Sequence, residues 1–177
     1  KQLNLRVWHL RNFANFYNRL TEGKYELPQK AKAEISRLIK NKTNKKEIVR
    51  ILYEHLQDKT RYVAIEMGIR GWQPQSAAEV YKNKYGDCKD LSTYMVAFLD
   101  HAGIKAYPAL ALTRNKGTVY EDFPTSQFNH CIAVVPFEQD TIWLECTSSY
   151  ANMDNTPYSI EDINALVVTK SGGKLIR

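Results

Sequence analysis

Three residues in this chain have the types and surroundings needed for nucleophilic acyl chemistry: Cys88, His130 and Glu145. Cys88 follows Gly86-Asp87 and precedes Lys89-Asp90, where the pattern predicts the opening turn of a helix. Backbone N–H groups left free at a helix start, with the positive end of its dipole, suit a thiol that acts as a nucleophile. The bland alternative is a small buried hydrophobe, the commonest fate of a free cysteine. The charged flanks and the helix start count against it.

Such a nucleophile needs a base from elsewhere in the chain. Of the four histidines, His9 lies beside the chain start, His55 falls on the core face of a helix, and His101 sits in a helix's last turn. His130 opens an apolar strand just after the polar Ser126-Gln127, a good position for reaching a site. Glu145 is a carboxylate in the otherwise apolar run Ile142-Trp143-Leu144, and burial there is costly unless it has a partner. If the hairpin loop is Phe137 to Asp140, opposed residues sum to 277, His130 faces Thr147, and Glu145 is its diagonal neighbour. Cys131 and Cys146 then oppose each other, away from His130 and Glu145. The alternative for Glu145 is a strand residue pointing to solvent.

Competing chemistries lack their residues. A Cys-x5-Arg phosphatase loop needs Arg where this chain has Tyr94. No Cys-x-x-Cys is present, and Cys131 and Cys146 around His130 and Glu145 do not have common zinc-site spacing. Gly68-Ile69-Arg70-Gly71 lacks the Lys-Ser/Thr of a phosphate loop. No metal or cofactor is expected.

The elements that position these residues follow from periodicity. Phe13, Phe16, Tyr17 and Leu20 share a helix face that Gly23 ends. Pro28 opens a second helix with Ile35, Leu38 and Ile39 together. Asn44 with Glu47 resembles a capping box before a third helix, faced by Ile48, Ile51, Leu52 and His55 and ending near Asp58. Arg61 to Ile65 is β-leaning, and Gly68, Gly71 and Pro74 make a loop. Ser76 with Glu79 caps a short helix, and Asp87 with Asp90 caps the long one carrying Leu91, Tyr94, Met95, Phe98 and Leu99, which Gly103 ends. Strands are predicted over Ala106–Leu112, Phe128–Val135 and Thr141–Cys146, with Thr113–Gln127 a mobile loop. Ser159 with Asp162 predicts a last short helix, and Leu166–Thr169 an edge strand. Helices first and antiparallel strands later make the class α+β.

Size and composition agree. The 177 residues suit one domain, 1–177, with a helical lead-in over 1–60 and a core over 61–170. A hydrophobic fraction of 44% and a charged fraction of 25% argue against disorder and coiled coil. Tyr94–Leu99 and Cys131–Phe137, the longest apolar runs, are too short for a membrane span. Residues 1–60 carry 14 Lys and Arg against 6 Asp and Glu, and the remainder 11 against 13. The basic residues interleave with Glu34 and Glu47 on predicted helices, so they read as a solvated face, and no nucleic-acid partner is expected. The chain opens on Lys1 without a charged-then-apolar leader, as a mature or excised piece of a longer protein would.

Taken together, the motifs resemble the transglutaminase-like superfamily. Tyr85-Gly86-Asp87-Cys88-Lys89-Asp90 is similar to its nucleophile region, Ser126-Gln127-Phe128-Asn129-His130 to its histidine motif, and Trp143-Leu144-Glu145-Cys146-Thr147 to its acid motif, in order and spacing. The lead-in, Arg61-Tyr62-Val63 and Gly71-Trp72-Gln73-Pro74 look like the bacterial branch in which this domain follows a β-rich domain in an exported protein. The resemblance implies a papain-like fold, with a helix presenting the cysteine against an antiparallel sheet presenting histidine and acid. It implies Cys88 as nucleophile, His130 as base and Glu145 as orienting acid, where the family usually has Asp. The Cys88 N–H and a donor from Gln73 or Trp72, with Gln73 preferred, would form the oxyanion hole. The implied activity is thiol-dependent acyl transfer on a peptide, protein or cell-wall amide, passing to water (protease or amidase) or to an amine (transglutaminase), in the periplasm or otherwise exported. The alternative is a catalytically impaired module that binds a peptide or glycan in the same cleft, which the Glu145 departure favours.

Overall fold

The computed structural model describes residues 5–65, 67–120, 126–137 and 140–177, with side chains from Leu10 onward. Three helices lead: α1 (Leu5–Thr21), α2 (Gln29–Leu38) and α3 (Lys45–Lys59). They are followed by β1 (Arg61–Tyr62), α4 (Ala77–Asn83), β2 (Tyr85–Gly86) and the central α5 (Cys88–His101). Five strands then form one antiparallel sheet: β3 (Tyr107–Ala111), β4 (His130–Phe137), β5 (Asp140–Leu144), β6 (Ala165–Thr169) and β7 (Gly172–Ile176), in the order β5-β4-β3-β6-β7. The mixed α+β class is as expected.

α5 forms because an apolar run with few β-branched residues follows a complete capping box. Asp87 Oδ1 accepts from the N–H of Lys89 and of Asp90, and Asp90 Oδ2 accepts from the N–H of Asp87. Every residue from Lys89 to Leu99 is buried, so α5 is the axis of the molecule rather than an amphipathic surface helix. It packs on β3 and β4, while α1 covers β6 and β7 on the same side. Leu110, Cys131 and Leu166, set side by side by the strand register, line that side. The opposite side, with Ala109, Ile132, Val134 and Val167, is closed by Ile160 and Ile163 from the segment between β5 and β6. Gly173 lets α1 approach β7: a Cβ there would lie 2.8 Å from Ala14 Cβ and 3.0 Å from the Leu10 carbonyl.

The hairpin register is the expected one. Val134 pairs Trp143, Val135 pairs Ile142 and Phe137 pairs Asp140, all summing to 277; residues 138 and 139 of its turn lie outside the described residues. The strands themselves are shifted: β4 begins at His130 and runs to Phe137, and β5 ends at Leu144, before Glu145.

Several expectations need correction. Ser159 and Asp162 start no helix; Tyr158–Ile160 is one 3-10 turn, and Asp162 has φ 55°, which stops helical propagation. The strand over 165–169 is interior, and the edge belongs to β7, whose Gly172-Gly173 start hid it from a β-propensity reading. The buried face of α3 is Ile48, Val49, Leu52, Tyr53 and Leu56, with Ile51 and His55 at its margin. α1 buries Ala14 and Tyr17 and leaves Phe16 exposed. Asn44 Oδ1 does accept from Glu47 N–H, but the Glu47 carboxylate turns to Lys42. Of the Thr113–Gln127 loop, residues 121–125 lie outside the described residues; Arg114–Lys116 forms a 3-10 turn. Among the described residues, no helix is long and apolar enough to cross a membrane.

Candidate active site

Cys88 is the first residue of α5, half-buried at the floor of a cleft of about 260 Å3 that it shares with His130, Lys89, Trp72, Phe128 and Leu110. What places it there is the turn before it. Gly86 passes so close to α5 that a Cβ would lie 2.5 Å from Asp90 Cβ, a distance no side chain tolerates. Asp90 in turn accepts from Gln75 through both the backbone N–H, at 2.7 Å, and the side-chain amide, at 2.9 Å. Lys89 Nζ forms a buried ion pair with Asp87 Oδ2. Burial pushes the Asp87 carboxyl upward against the opposing pull of Lys89.

His130 opens β4, opposite Ala111 of β3. Its Nε2 lies 2.6 Å from Glu145 Oε2, and the two side chains are only 14% and 7% exposed. The Cys88 thiol lines the same cleft as the imidazole. Burial alone would lower the His130 pKa; the neighbouring Cys88 and the Glu145 carboxylate, which accepts from the ring, outweigh it and push it up to about 10. Glu145 behaves reciprocally. Burial would raise its pKa, yet His130 and Thr147 hold it below the usual range. Its second oxygen, Oε1, accepts from Thr147 N–H at 2.9 Å and Thr147 Oγ1 at 2.6 Å. The arrangement sets a thiol in one cleft with an imidazole that a shielded carboxylate orients, able to hold a proton on the ring.

The structure therefore brings Cys88, His130 and Glu145 together. Trp72 lines the same cleft, packed edge-on against Phe13 at 5.6 Å between ring centroids. Gln73 is half-buried next to it, with its N–H donating to the Ile69 carbonyl, and does not line the cleft. Cys131 and Cys146 are buried free thiols, and burial pushes both well upward. Two other histidines have structural partners: His55 Nε2 lies 3.3 Å from Glu34 Oε1, and His101 Nε2 lies 3.1 Å from Ser36 Oγ; the His9 side chain lies outside those described. Among the described residues, no group of three or more His, Cys, Asp or Glu is arranged to hold a metal ion.

Sequence reasoning missed two contributors. Gln75, which fixes Asp90, carries no pattern. Tyr53 does carry a signal: a tyrosine on a buried helix face needs a partner for its hydroxyl. That partner is the Glu145 carbonyl, at 2.7 Å.

Comparison with known proteins matches residues 32–148 to the profile described as the transglutaminase-like superfamily. Curated proteins give no match. Among solved structures, the fold is similar to a Parabacteroides distasonis protein provisionally described as a protease, with a TM-score of 0.67 and 16% identity over 90% of this chain and 30% of that one. It is also similar to a Cytophaga hutchinsonii protein provisionally described as a cysteine protease, with a TM-score of 0.52 and 12% identity over 70% of this chain and 40% of the other. Legionella pneumophila LapG, in an EGTA-treated form, gives a TM-score of 0.56 and 13% identity over 97% of this chain and 86% of LapG. The chain thus spans less than half the length of the first two.

Proposed function

The chain belongs to the transglutaminase-like superfamily, and from that premise we propose that it is a thiol-dependent acyl-transfer enzyme acting on an amide through Cys88, His130 and Glu145. The observation that carries this reading is the 2.6 Å contact of His130 Nε2 with Glu145 Oε2, in a cleft that Cys88 also lines from the start of α5. Glu145, the departure that favoured a binding-only module, reaches the imidazole despite its extra methylene, and this supports catalysis over binding alone.

The steps follow from these three groups. Cys88 sulfur attacks the amide carbonyl carbon while His130 holds the thiol proton. The carbonyl oxygen gathers charge that the Cys88 N–H at the start of α5, with a donor from Trp72 or Gln73, would stabilise. As the C–N bond breaks, His130 delivers the proton to the leaving amine, and the acyl group remains on sulfur as a thioester. An acceptor then gives its proton to His130 and attacks the thioester carbonyl; the C–S bond breaks to release the acyl product, and His130 returns the proton to the freed sulfur. Glu145 keeps the imidazole in one tautomer and orientation and stabilises its protonated form. Water is the acceptor we favour, in keeping with the protease descriptions of two of the structural relatives. The substrate would be a peptide, protein or cell-wall amide, met outside the cytoplasm. We take 1–177 as one catalytic domain of a longer protein.

The test is a peptide-library cleavage screen with Cys88→Ala as the control. Cleavage that vanishes in the variant supports the reading; cleavage that persists overturns it.

A further inference from the structure

β5 stops pairing at Leu144, whose partner is Ala133, so Glu145 is the first residue beyond the ladder. Its side chain is aimed by Thr147 and His130, but its main chain is held by something outside the sheet. Tyr53, on the buried face of α3 and only 2% exposed, donates its hydroxyl to the Glu145 carbonyl at 2.7 Å. Further along the same helix, Gln57 Nε2 donates at 2.9 Å to each of the Ser148 and Ala151 carbonyls. Arg50 Nη2 meets Asp154 Oδ2 at 2.7 Å. α3 therefore straps down the whole segment that leaves the sheet at Glu145.

We propose that Tyr53 is a positioning residue for the reaction, replacing the missing ladder partner of Glu145 and so fixing the carboxylate against His130. The inference rests on the reading of Cys88, His130 and Glu145 given above. A loose strand end lets the carboxylate wander by fractions of an ångström. A 2.6 Å contact with a shielded imidazole is sensitive to such movement, because little solvent is present to compensate for a lost hydrogen bond. Burial, with Cys146 and Glu145 nearby, pushes the Tyr53 phenol well above its ordinary value, so it remains a donor throughout the working range. Tyr53 approaches from α3, Cys146 follows Glu145 along the chain, and Cys88 faces the imidazole from α5; these titratable groups surround the pair.

Tyr53→Phe keeps the ring and removes only the donor. Expected results are a fall in the His130 titration midpoint, followed by imidazole NMR, of up to about one pH unit, and a Cys88 alkylation rate about 2- to 10-fold lower at neutral pH. Gln57→Leu is the comparator: it loosens the same segment beyond Glu145, so it should lower the urea midpoint and leave the His130 curve in place. A Tyr53→Phe protein with an unmoved His130 curve and an unchanged alkylation rate overturns the inference. So does a Gln57→Leu shift as large as that of Tyr53→Phe, which would mark general loosening. A wild-type His130 that titrates near its ordinary value sinks the underlying reading as well, so the two failures are distinguishable.

Discussion

His130 Nε2 and Glu145 Oε2 lie 2.6 Å apart although their residues are not directly opposed in the sheet: continued one residue beyond its last pair, the register places Ile132 across from Glu145. The contact is a diagonal one, closed by the length of the glutamate. Glu145→Gln keeps the shape and removes the charge, so the ring loses both its tautomer preference and its counter-ion. We expect turnover to fall by about 100-fold or more, while the thermal midpoint moves only a few degrees. Glu145→Asp withdraws the carboxylate by one methylene from a contact that this backbone spaces for glutamate. Its activity should lie between wild type and Glu145→Gln, even though aspartate is the residue the family resemblance would suggest. Steady-state kinetics on all three proteins checks the order.

The raised His130 pKa also ties stability to pH. The folded-state value of about 10 lies above the ordinary unfolded value of about 6.5. The folded protein therefore binds this proton more tightly than the unfolded chain. The associated stabilisation is fully present below pH ~6.5 and is lost as pH rises through the folded value. Glu145 works the other way: its lowered pKa contributes stability above its ordinary range that is lost on acidification. Urea midpoints should fall for wild type between pH 7 and 10 and fall less for Glu145→Gln, whose His130 lacks the counter-ion. Parallel curves for the two proteins would contradict the coupling.

Part of the candidate site was legible in the sequence because two of its residues, His130 and Glu145, violate a local rule. A carboxylate inside Ile142-Trp143-Leu144 and a histidine at the head of an apolar strand both ask for partners, and period-two alternation supplied the register that joins them. The box Asp87 to Asp90 was equally readable, since capping is a local interaction. What escaped depends on contacts distant in sequence. The closest approach of Gly86 is to Asp90, but the hold on Asp90 comes from Gln75, 15 residues earlier. Tyr53 meets Glu145 across 92 positions. β7 was missed because its two leading glycines exist to admit α1, a tertiary reason that strand propensity does not contain. The helix expected at Ser159 failed for a related cause: the segment is pinned over the back of the sheet by Ile160 and Ile163, and burial there overrides a capping pattern.

Thiol reactivity should be selective. Cys88 and Cys131 both border the cleft, but of the three cysteines Cys88 alone stands at a helix start and is only half-buried. Cys131 and Cys146 are 2% and 3% exposed, and burial pushes their thiols upward, so neither offers thiolate at neutral pH. Iodoacetamide at pH 6 to 7, followed by peptide mapping, should modify Cys88 first, and the other two only on unfolding. Equal labelling of all three in the folded protein would remove the basis for an activated nucleophile.

Gly86 offers a test of how tightly the Cys88 thiol is placed. A methyl group there would meet Asp90 Cβ at 2.5 Å, and that atom is fixed to the helix backbone, so it cannot swing aside as a flexible side-chain end could. Either β2 or the first turn of α5 must move. Moving the turn breaks the reciprocal bonds of Asp87 and Asp90, loosens the Gln75 contacts and displaces Cys88 from His130. Gly86→Ala should therefore cost about 1 to 3 kcal/mol, as overpacking of a tight site does, and it should lower the Cys88 alkylation rate. Gly23→Ala is the control. Its Cβ meets nothing within 4 Å, but its φ of +70° is unfavourable for alanine, so it should cost about 1 to 2 kcal/mol through backbone strain alone. Urea unfolding should show losses of similar size in the two variants, while only Gly86→Ala slows alkylation at Cys88. If both variants react at the wild-type rate, the close approach at Gly86 serves stability and not the placement of the thiol.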